Sequence, residues 1–257
     1  MNIAVCIKQV PDPNSPGHLD PITRLLLREG VELVLDPGDE VGIETGLRLA
    51  EAHGGTVRVV SMGPETTVDA IRKALAMGAA NGTLVNDDAL PGADALTTAK
   101  VLAAAIAREP FDLVITGTES SDGYTGIVPQ ALGELLSVPA VTFASTVNYN
   151  GQALIAKRHT DVGTETIEVD LPCILSVTAG VNEPRYPSLR GVMGAKSKPI
   201  EWLTLADLCL SELGTKAPGQ VVVSVEAVAE RSHGVMYVDD GDGARRILDF
   251  LNLIRVI

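Results

Sequence analysis

FDLVITGTESSDGYTG, residues 111–126, decides the fold. Five apolar or β-branched positions end in a Gly/Ser-rich turn, and the residues after it, Gly126–Leu136, carry a helical apolar pattern. A buried strand that runs through a short glycine turn into a helix is the repeating unit of a parallel α/β sheet. The same rhythm extends towards the amino terminus. Asn2–Ile7 reads as a buried first strand, and Pro11, Pro13 and Pro16 then enforce a loop. Leu25–Arg28 and Glu32–Leu35 carry short strand or hairpin signals around Gly30. The Asp36-Pro37-Gly38 turn opens a helix that Asp36 or Asp39 can cap, with Val41, Leu47 and Leu49 on its apolar side. Thr56–Met62 is a strand, Thr66–Met77 a helix stopped by Gly78, Gly82–Val85 a short strand and Asp94–Arg108 a helix. Strands alternating with helices across short loops predict a doubly wound parallel sheet.

After Pro139 the pattern becomes β-rich. Ala140–Asn148, Gln152–His159, Glu165–Asp170 and Pro172–Val177 are short, and Asn150-Gly151 sits between the first two as a hairpin signal. An antiparallel extension on the edge of the parallel sheet is expected. Residues 182–200, NEPRYPSLRGVMGAKSKPI, are rich in proline and cationic in an otherwise acidic chain. Pro184 and Pro187 disfavour both a helix and a central strand. Arg185, Arg190, Lys196 and Lys198 would surround the apolar Leu189 and Val192, a composition suited to a docking surface or to an ordinary solvated loop. Residues 201–215 have room for a short helix. From Lys216 the chain reads as an arm: VVVSVEAV is strand-like, and Ala244–Leu253 is an amphipathic helix suited to packing on a partner chain. The expected organisation is an α/β domain over 1–204, including the loop 182–200, and an extended arm over 205–257.

Composition narrows the function classes. With 257 residues the chain can bury a sizeable core, built from Ala, Val, Leu and Ile because aromatic residues make up only 3%. A net charge of −13 argues against nucleic acid and anionic membrane surfaces as partners. Cys6, Cys173 and Cys209 form no CxxC pair, and Cys6 and Cys173 lie in apolar runs, as buried free thiols of a reducing, cytoplasmic compartment do. The apolar run of MNIAVCIKQV is too short for a signal peptide, and no stretch is apolar enough to span a bilayer.

In an open parallel sheet, ligands bind beyond the carboxyl ends of the strands. Four segments converge there: Cys6–Gln9, Asp36–Asp39, Ser61–Pro64 and Gly117–Gly126. In the last, the glycines permit close backbone approach, Ser120, Ser121 and Thr125 offer hydroxyls, and the following helix offers its N-terminus to a phosphate. It could equally be a plain strand–turn–helix connection. It is neither GxGxxG nor a Walker loop, and it carries no lysine, which favours binding without hydrolysis. His18, His53, His159 and His233 share no ligand spacing, so no metal site is expected. Ser61, Ser120 and Ser121 lack the context of a hydrolase nucleophile. Asp87-Asp88 and Asp239-Asp240 read as solvated loop acids.

NIAVCIKQVPD at the amino terminus, Asp36-Pro37, SMGP at 61–64, ALAMGA at 74–79, DLVITG at 112–117 and LPCILSVTAGVNEPRYPSLRGVMGAKSKPIE at 171–201 together resemble the β subunit of electron-transfer flavoproteins. The resemblance runs through Ile200 and thins beyond about residue 205. It implies a heterodimer in which the α subunit carries the redox FAD on a mobile domain and the β subunit is largely a scaffold, not an enzyme. It implies structural AMP in the β subunit, contacted by Cys6, Asp36, Pro37, Gly38, Asp39, Met62, Gly117, Ser120, Ser121, Asp122, Gly123, Tyr124, Thr125 and Gly126. Leu189 matches the apolar residue that inserts into partner dehydrogenases, with Glu183, Arg185, Tyr186, Arg190, Val192, Met193 and Lys196 around it. Acyl-CoA or related flavin dehydrogenases would be the donors and a membrane quinone oxidoreductase the acceptor.

Three departures stand out. The family loop GxQAIDxDxxQ is shortened here to GTESSDGYTG, the NP turn is Asp36-Pro37, and His159 stands where some members have an acidic residue that pairs with the α subunit's FAD domain. Electron-bifurcating members bind a second FAD in the β site and take electrons from NADH. Gly92-Ala93-Asp94 is similar to their GADT motif, with Ala95 in place of Thr. A stand-alone adenine-nucleotide-binding enzyme or sensor on a similar fold is the competing class.

Overall fold

The computed structural model describes residues 1–15, 17–28, 30–215, 219–220, 222–226, 234 and 236–256. Pro16 and most of the segment 216–233 therefore lie outside the described residues. Two compact units are present, Met1–Val222 and Val223–Ile257, so the first runs beyond residue 204.

The first unit is built on one nine-stranded sheet. In chain order its strands are β1 (Asn2–Cys6), β4 (Thr56–Met62), β5 (Asn81–Val85), β6 (Leu113–Gly117), β7 (Ala140–Tyr149), β8 (Ala153–Thr160), β9 (Gly163–Asp170), β10 (Cys173–Val177) and β11 (Ile200–Leu203). A separate antiparallel pair joins β2 (Gln9–Pro11) to β3 (Leu33–Leu35). The sheet order is β11-β5-β4-β1-β6-β10-β7-β8-β9, parallel from β11 to β7 and antiparallel across the last two pairings. The helices are α1 (Pro37–His53), α2 (Val68–Met77), α3 (Ala95–Ala107), α4 (Val128–Leu136) and α5 (Leu189–Ala195).

Alternation along β1 shows why the sheet is wound on both faces. Ile3 and Val5 point into a core shared with Ile43 and Leu47 of α1 and Ile71 and Leu75 of α2. Ala4 and Cys6 point the other way, into a core shared with Val101, Leu102 and Ile106 of α3 and Leu132 of α4. Side chains alternate along a strand, so a continuous apolar run buries both faces and requires helices on both. Each fully buried Leu or Ile contributes roughly 1.5–3 kcal/mol. The buried Arg58 guanidinium donates to the carbonyl of Ile106 at 2.8 Å and so holds the end of α3 against β4.

Most elements fall where their patterns place them, with informative exceptions. Cys173–Val177 is not part of an antiparallel edge; it inserts as β10 between β6 and β7, parallel to both. All five of its residues are buried, as an apolar run in an inner strand requires. The antiparallel extension is β8 and β9 added to β7; Asn150-Gly151 turns β7 into β8, and Asp161-Val162 turns β8 into β9. Leu33–Leu35 pairs with Gln9–Pro11 rather than with Leu25–Arg28, where Leu26 makes an isolated bridge to Leu19. Residues 200–203 form an edge strand on β5, not the start of a helix, and Ser211–Thr215 form a 3₁₀ turn. At the boundary of the two units, the described residues 222–226 of VVVSVEAV are not in a strand, and 221, 227 and 228 lie outside the described residues. The second unit contains α6 (Gly243–Leu253), whose Ile247, Leu248, Phe250 and Leu253 are exposed.

Gly82 on β5 is a close-approach position: a Cβ there would lie 2.4 Å from Cγ2 of the fully buried Ile71. Gly82→Ala should therefore push α2 off the sheet and destabilise the domain by about 1–3 kcal/mol, the usual cost of overpacking. Chemical denaturation midpoints of the two forms check this.

Candidate functional site

The carboxyl ends of β1, β3 and β6 meet around three aspartates. Asp36 follows β3 and caps α1, accepting from the Gly38 amide at 2.8 Å. Its other oxygen accepts from both the amide and the hydroxyl of Ser121, at 2.7 and 2.9 Å. One buried carboxylate thus joins the β3–α1 turn to the β6–α4 loop, and a helix N-terminus favours its charge. The DP turn therefore has a structural use for the carboxylate.

Asp39, one turn on, is buried and accepts from the Lys8 amide at 2.7 Å. Burial, and then the neighbouring Asp36, hold its carboxyl well above the ordinary range, against the opposing amides of Lys8 and Gly117. The Cys6 thiol, at the end of β1, is pushed up to about 12 by burial and by Asp39. Its place is that of a packed core residue, lined by its strand neighbours. Met62 ends β4 half-buried, and the adjacent Ser61 hydroxyl donates to the Ile7 carbonyl at 2.7 Å.

Asp122, in the middle of the loop, is an ion-pair centre. Lys8 Nζ lies 2.7 Å from Oδ1, and Arg28 bonds Oδ2. Burial raises its pKa, but Lys8 first and then Arg28 outweigh that, so the carboxyl sits below its ordinary range. The loop turns through Tyr124 and Gly126, both in left-handed conformations, and closes on Ser120, whose carbonyl accepts from the amides of Gly123 and Tyr124 at 3.3 and 2.9 Å. Tyr124 and Thr125 are exposed. Ile127, preceding α4, makes no side-chain cap bond to the first turn.

Lys8 lies in the expected Cys6–Gln9 segment but was not singled out as a contact, although a lysine at the first strand's carboxyl end is a usable signal. Arg28 was not expected in this site, and nothing local marks it. Two clefts, of 540 and 160 Å³, open at the amino ends of the strands, and neither is lined by any residue of the expected nucleotide set.

The segment 182–200 forms a second centre. Residues 182–188 form neither helix nor strand, and Ser188 caps α5, accepting from the Gly191 amide at 3.0 Å. The helix begins two residues after Pro187, so the prolines shape its approach and do not exclude it. Leu189, Val192 and Met193, at i, i+3 and i+4, share one face, and Tyr186 precedes them. Their exposures are 77%, 47%, 61% and 94%.

Of the four cations expected around them, two are engaged within the chain. Arg185 pairs with Glu44 at 2.7 Å and with Glu51. Lys198 donates to the carbonyls of Leu75 and Ala79 at 2.8 and 2.6 Å, at the C-terminus of α2. Arg190 and Lys196 are exposed beside the apolar face. Burial raises the Glu44 carboxyl, and the bonds from Arg185 and Arg48 outweigh it, leaving it below the ordinary range. Glu183 is exposed, and its carbonyl accepts from Arg48 at 3.1 Å. Asn182 donates to Thr45 at 2.7 Å. His159 lies exposed on β8, its Nδ1 3.1 Å from the Thr164 hydroxyl.

A family model described as the electron transfer flavoprotein domain matches residues 23–208. The chain belongs to the electron-transfer flavoprotein β-subunit family. It is 39% identical over 261 residues to an electron transfer flavoprotein subunit beta of Thermoanaerobacterium thermosaccharolyticum, covering all of both chains. It is 38% identical over 264 residues to that of Mycobacterium leprae, covering all of this chain and 99% of the relative. It is also similar to the caffeyl-CoA reductase–Etf complex subunit CarD of Acetobacterium woodii, with 38% identity over 213 residues, covering 82% of this chain and 81% of that one. As a β subunit of this family it is an electron-transfer protein with an α-subunit partner. Among the described residues, no helix is long and apolar enough to cross a membrane.

The thiols give a direct check of burial. Cys6 and Cys173 are buried with pKa values pushed up to about 12, and Cys209 is exposed. In the native protein at pH 8, a thiol reagent should modify Cys209 alone, and Cys6 and Cys173 should react only after denaturation. Peptide mapping of the labelled protein reads this out.

Proposed function

We infer that the chain docks flavin dehydrogenases through α5 and holds AMP structurally at the carboxyl end of its sheet, while the α subunit supplies the FAD that carries the electrons. The observation that carries this reading is the apolar face of Tyr186, Leu189, Val192 and Met193 on a helix anchored from behind. The anchors are Arg185 on Glu44 and Glu51, Asn182 on Thr45, and Gly191 packed so closely on α2 that a Cβ would lie 2.4 Å from the Ala76 carbonyl. A rigid helix that presents large apolar side chains loses little conformational freedom on binding. Arg190 and Lys196 would steer acidic dehydrogenase surfaces towards it. Arg185 acts here as a positioning residue rather than as part of the charged rim.

Acyl-CoA or related dehydrogenases are the proposed donors and a membrane quinone oxidoreductase the proposed acceptor, in the cytoplasm. The second unit, Val223–Ile257, with the exposed apolar residues of α6, is the proposed packing surface for the α subunit.

The residues at the carboxyl end fit a nucleotide phosphate. Lys8 and Arg28 already hold an oxyanion there, that of Asp122. The first turn of α4 has no side-chain acceptor at its cap. Asp36 and Asp39 would act by shaping the cradle, since their oxygens are engaged by backbone and serine donors. A second FAD in the same site is the other reading, favoured by the similarity to a subunit of the caffeyl-CoA reductase–Etf complex. Against it, Asp94 of the GAD stretch serves as the cap of α3, accepting from Thr97 at 2.7 Å.

Nucleotide released by denaturing the purified heterodimer distinguishes the two: the account expects one FAD and one AMP, whereas two FADs without AMP would establish the bifurcating type. Leu189→Ala should lower kcat/KM for reduction by a partner dehydrogenase about tenfold, the loss of a modest hot spot. It should leave nucleotide content and α-subunit association intact. Unchanged kinetics would contradict docking through α5.

A further inference from the structure

The charge arrangement at the carboxyl end has a feature that nucleotide binding alone does not explain. Lys8 follows β1 and Arg28 lies in the long connection before β3, yet both side chains converge on Asp122 of a third segment. The Asp122 side chain is only 3% exposed, while Lys8 and Arg28 are 41% and 37% exposed. Lys8 Nζ also reaches the Ser120 hydroxyl at 3.3 Å. Among the described residues, neither cation pairs with another carboxylate. Asp36 and Asp39, close by, are engaged by Gly38, Ser121 and the Lys8 amide.

A carboxylate held by two cations through its two oxygens presents the same acceptors and charge sign as two oxygens of a phosphomonoester. A phosphate dianion added beside an undisturbed Asp122 would place three negative charges against two positive ones in a partly desolvated site. Like charges so placed cannot both remain ionised without a large penalty. One of the two anions must leave.

We propose that Asp122 is an internal stand-in for phosphate: it holds Lys8 and Arg28 together in the nucleotide-free subunit, and the phosphate of the bound nucleotide displaces it from them. The proposal rests on the nucleotide reading above and adds to it a competition between ligand and loop. The backbone of the turn stays bonded to Asp36 through Ser121, so Asp122 leaves the two cations by rotation of its own side chain. Asp122 then stabilises the empty subunit and weakens the ligand, two effects of one carboxylate with opposite signs.

The test uses the heterodimer stripped of nucleotide, in wild-type and Asp122→Asn forms, titrated calorimetrically with AMP, adenosine and inorganic phosphate at fixed salt. Thermal unfolding is followed in parallel. Asp122→Asn should bind AMP and phosphate about tenfold tighter or more, a gain of about 1.4 kcal/mol. Its affinity for adenosine should not change. Without ligand its melting temperature should fall, and phosphate should restore it. Lys8→Met should abolish the gain when combined with Asp122→Asn.

If AMP binds both forms equally, or the variant more weakly, the competition is overturned while the nucleotide reading survives. If phosphate binds tighter to the variant but AMP binds neither form, the competition holds and the nucleotide reading fails. Binding of neither probe to either form overturns both.

Discussion

The carboxyl end of this sheet depends on a single buried carboxylate. Asp36 accepts from the α1 amide of Gly38 on one oxygen and from the amide and hydroxyl of Ser121 on the other. Burying a charge is costly unless donors and dipoles surround it. Here the start of α1 supplies one donor and the β6–α4 loop supplies two, so the same bonds that stabilise the charge also fix the loop. With the loop fixed, Asp122 is carried to Lys8 and Arg28. Asp39, buried next to Asp36, ties the Lys8 backbone to the same cluster. Losing Asp36 would therefore release three segments at once, not one helix cap.

Helix α1 links this end to the proposed docking surface. Its first turn belongs to Asp36, and its middle carries Glu44 and Thr45, which hold Arg185 and Asn182 of the segment 182–200. The Glu44 carboxylate is 3% exposed and bonds both Arg48 and Arg185. A buried charge left without its partner is strongly unfavourable. The segment 182–200 is thus positioned by the same helix that frames the proposed nucleotide site, while its apolar residues are exposed on and just before α5. The two proposed sites share a scaffold and do not share side chains.

Much of this was readable from the chain, and the limits have physical reasons. Strand–helix alternation gave the doubly wound sheet because each apolar strand needs cover on both faces. The capping role of Asp36 and the loop at Gly117–Gly126 followed from local turn chemistry. Strand order did not follow: Cys173–Val177, short and following three β-rich segments, reads as part of the antiparallel extension, yet it inserts between β6 and β7. Ile200–Leu203 was missed because four residues carry almost no periodicity. The ion pairs were least legible. Arg185 looks free in the sequence because Glu44 and Glu51 are more than a hundred positions away, and Lys8, Arg28 and Asp122 likewise meet only in the folded chain. Composition could place positive charge near Leu189; it could not show which cations were already neutralised.

Hydrogen–deuterium exchange of the nucleotide-stripped heterodimer, with and without saturating AMP, tests the central claim most directly. AMP should slow exchange at residues 36–40 and 117–128 and leave 186–196 unchanged, because the proposed nucleotide and docking sites use different residues on one scaffold. Protection appearing at 186–196 while 117–128 stays unaltered would contradict the account.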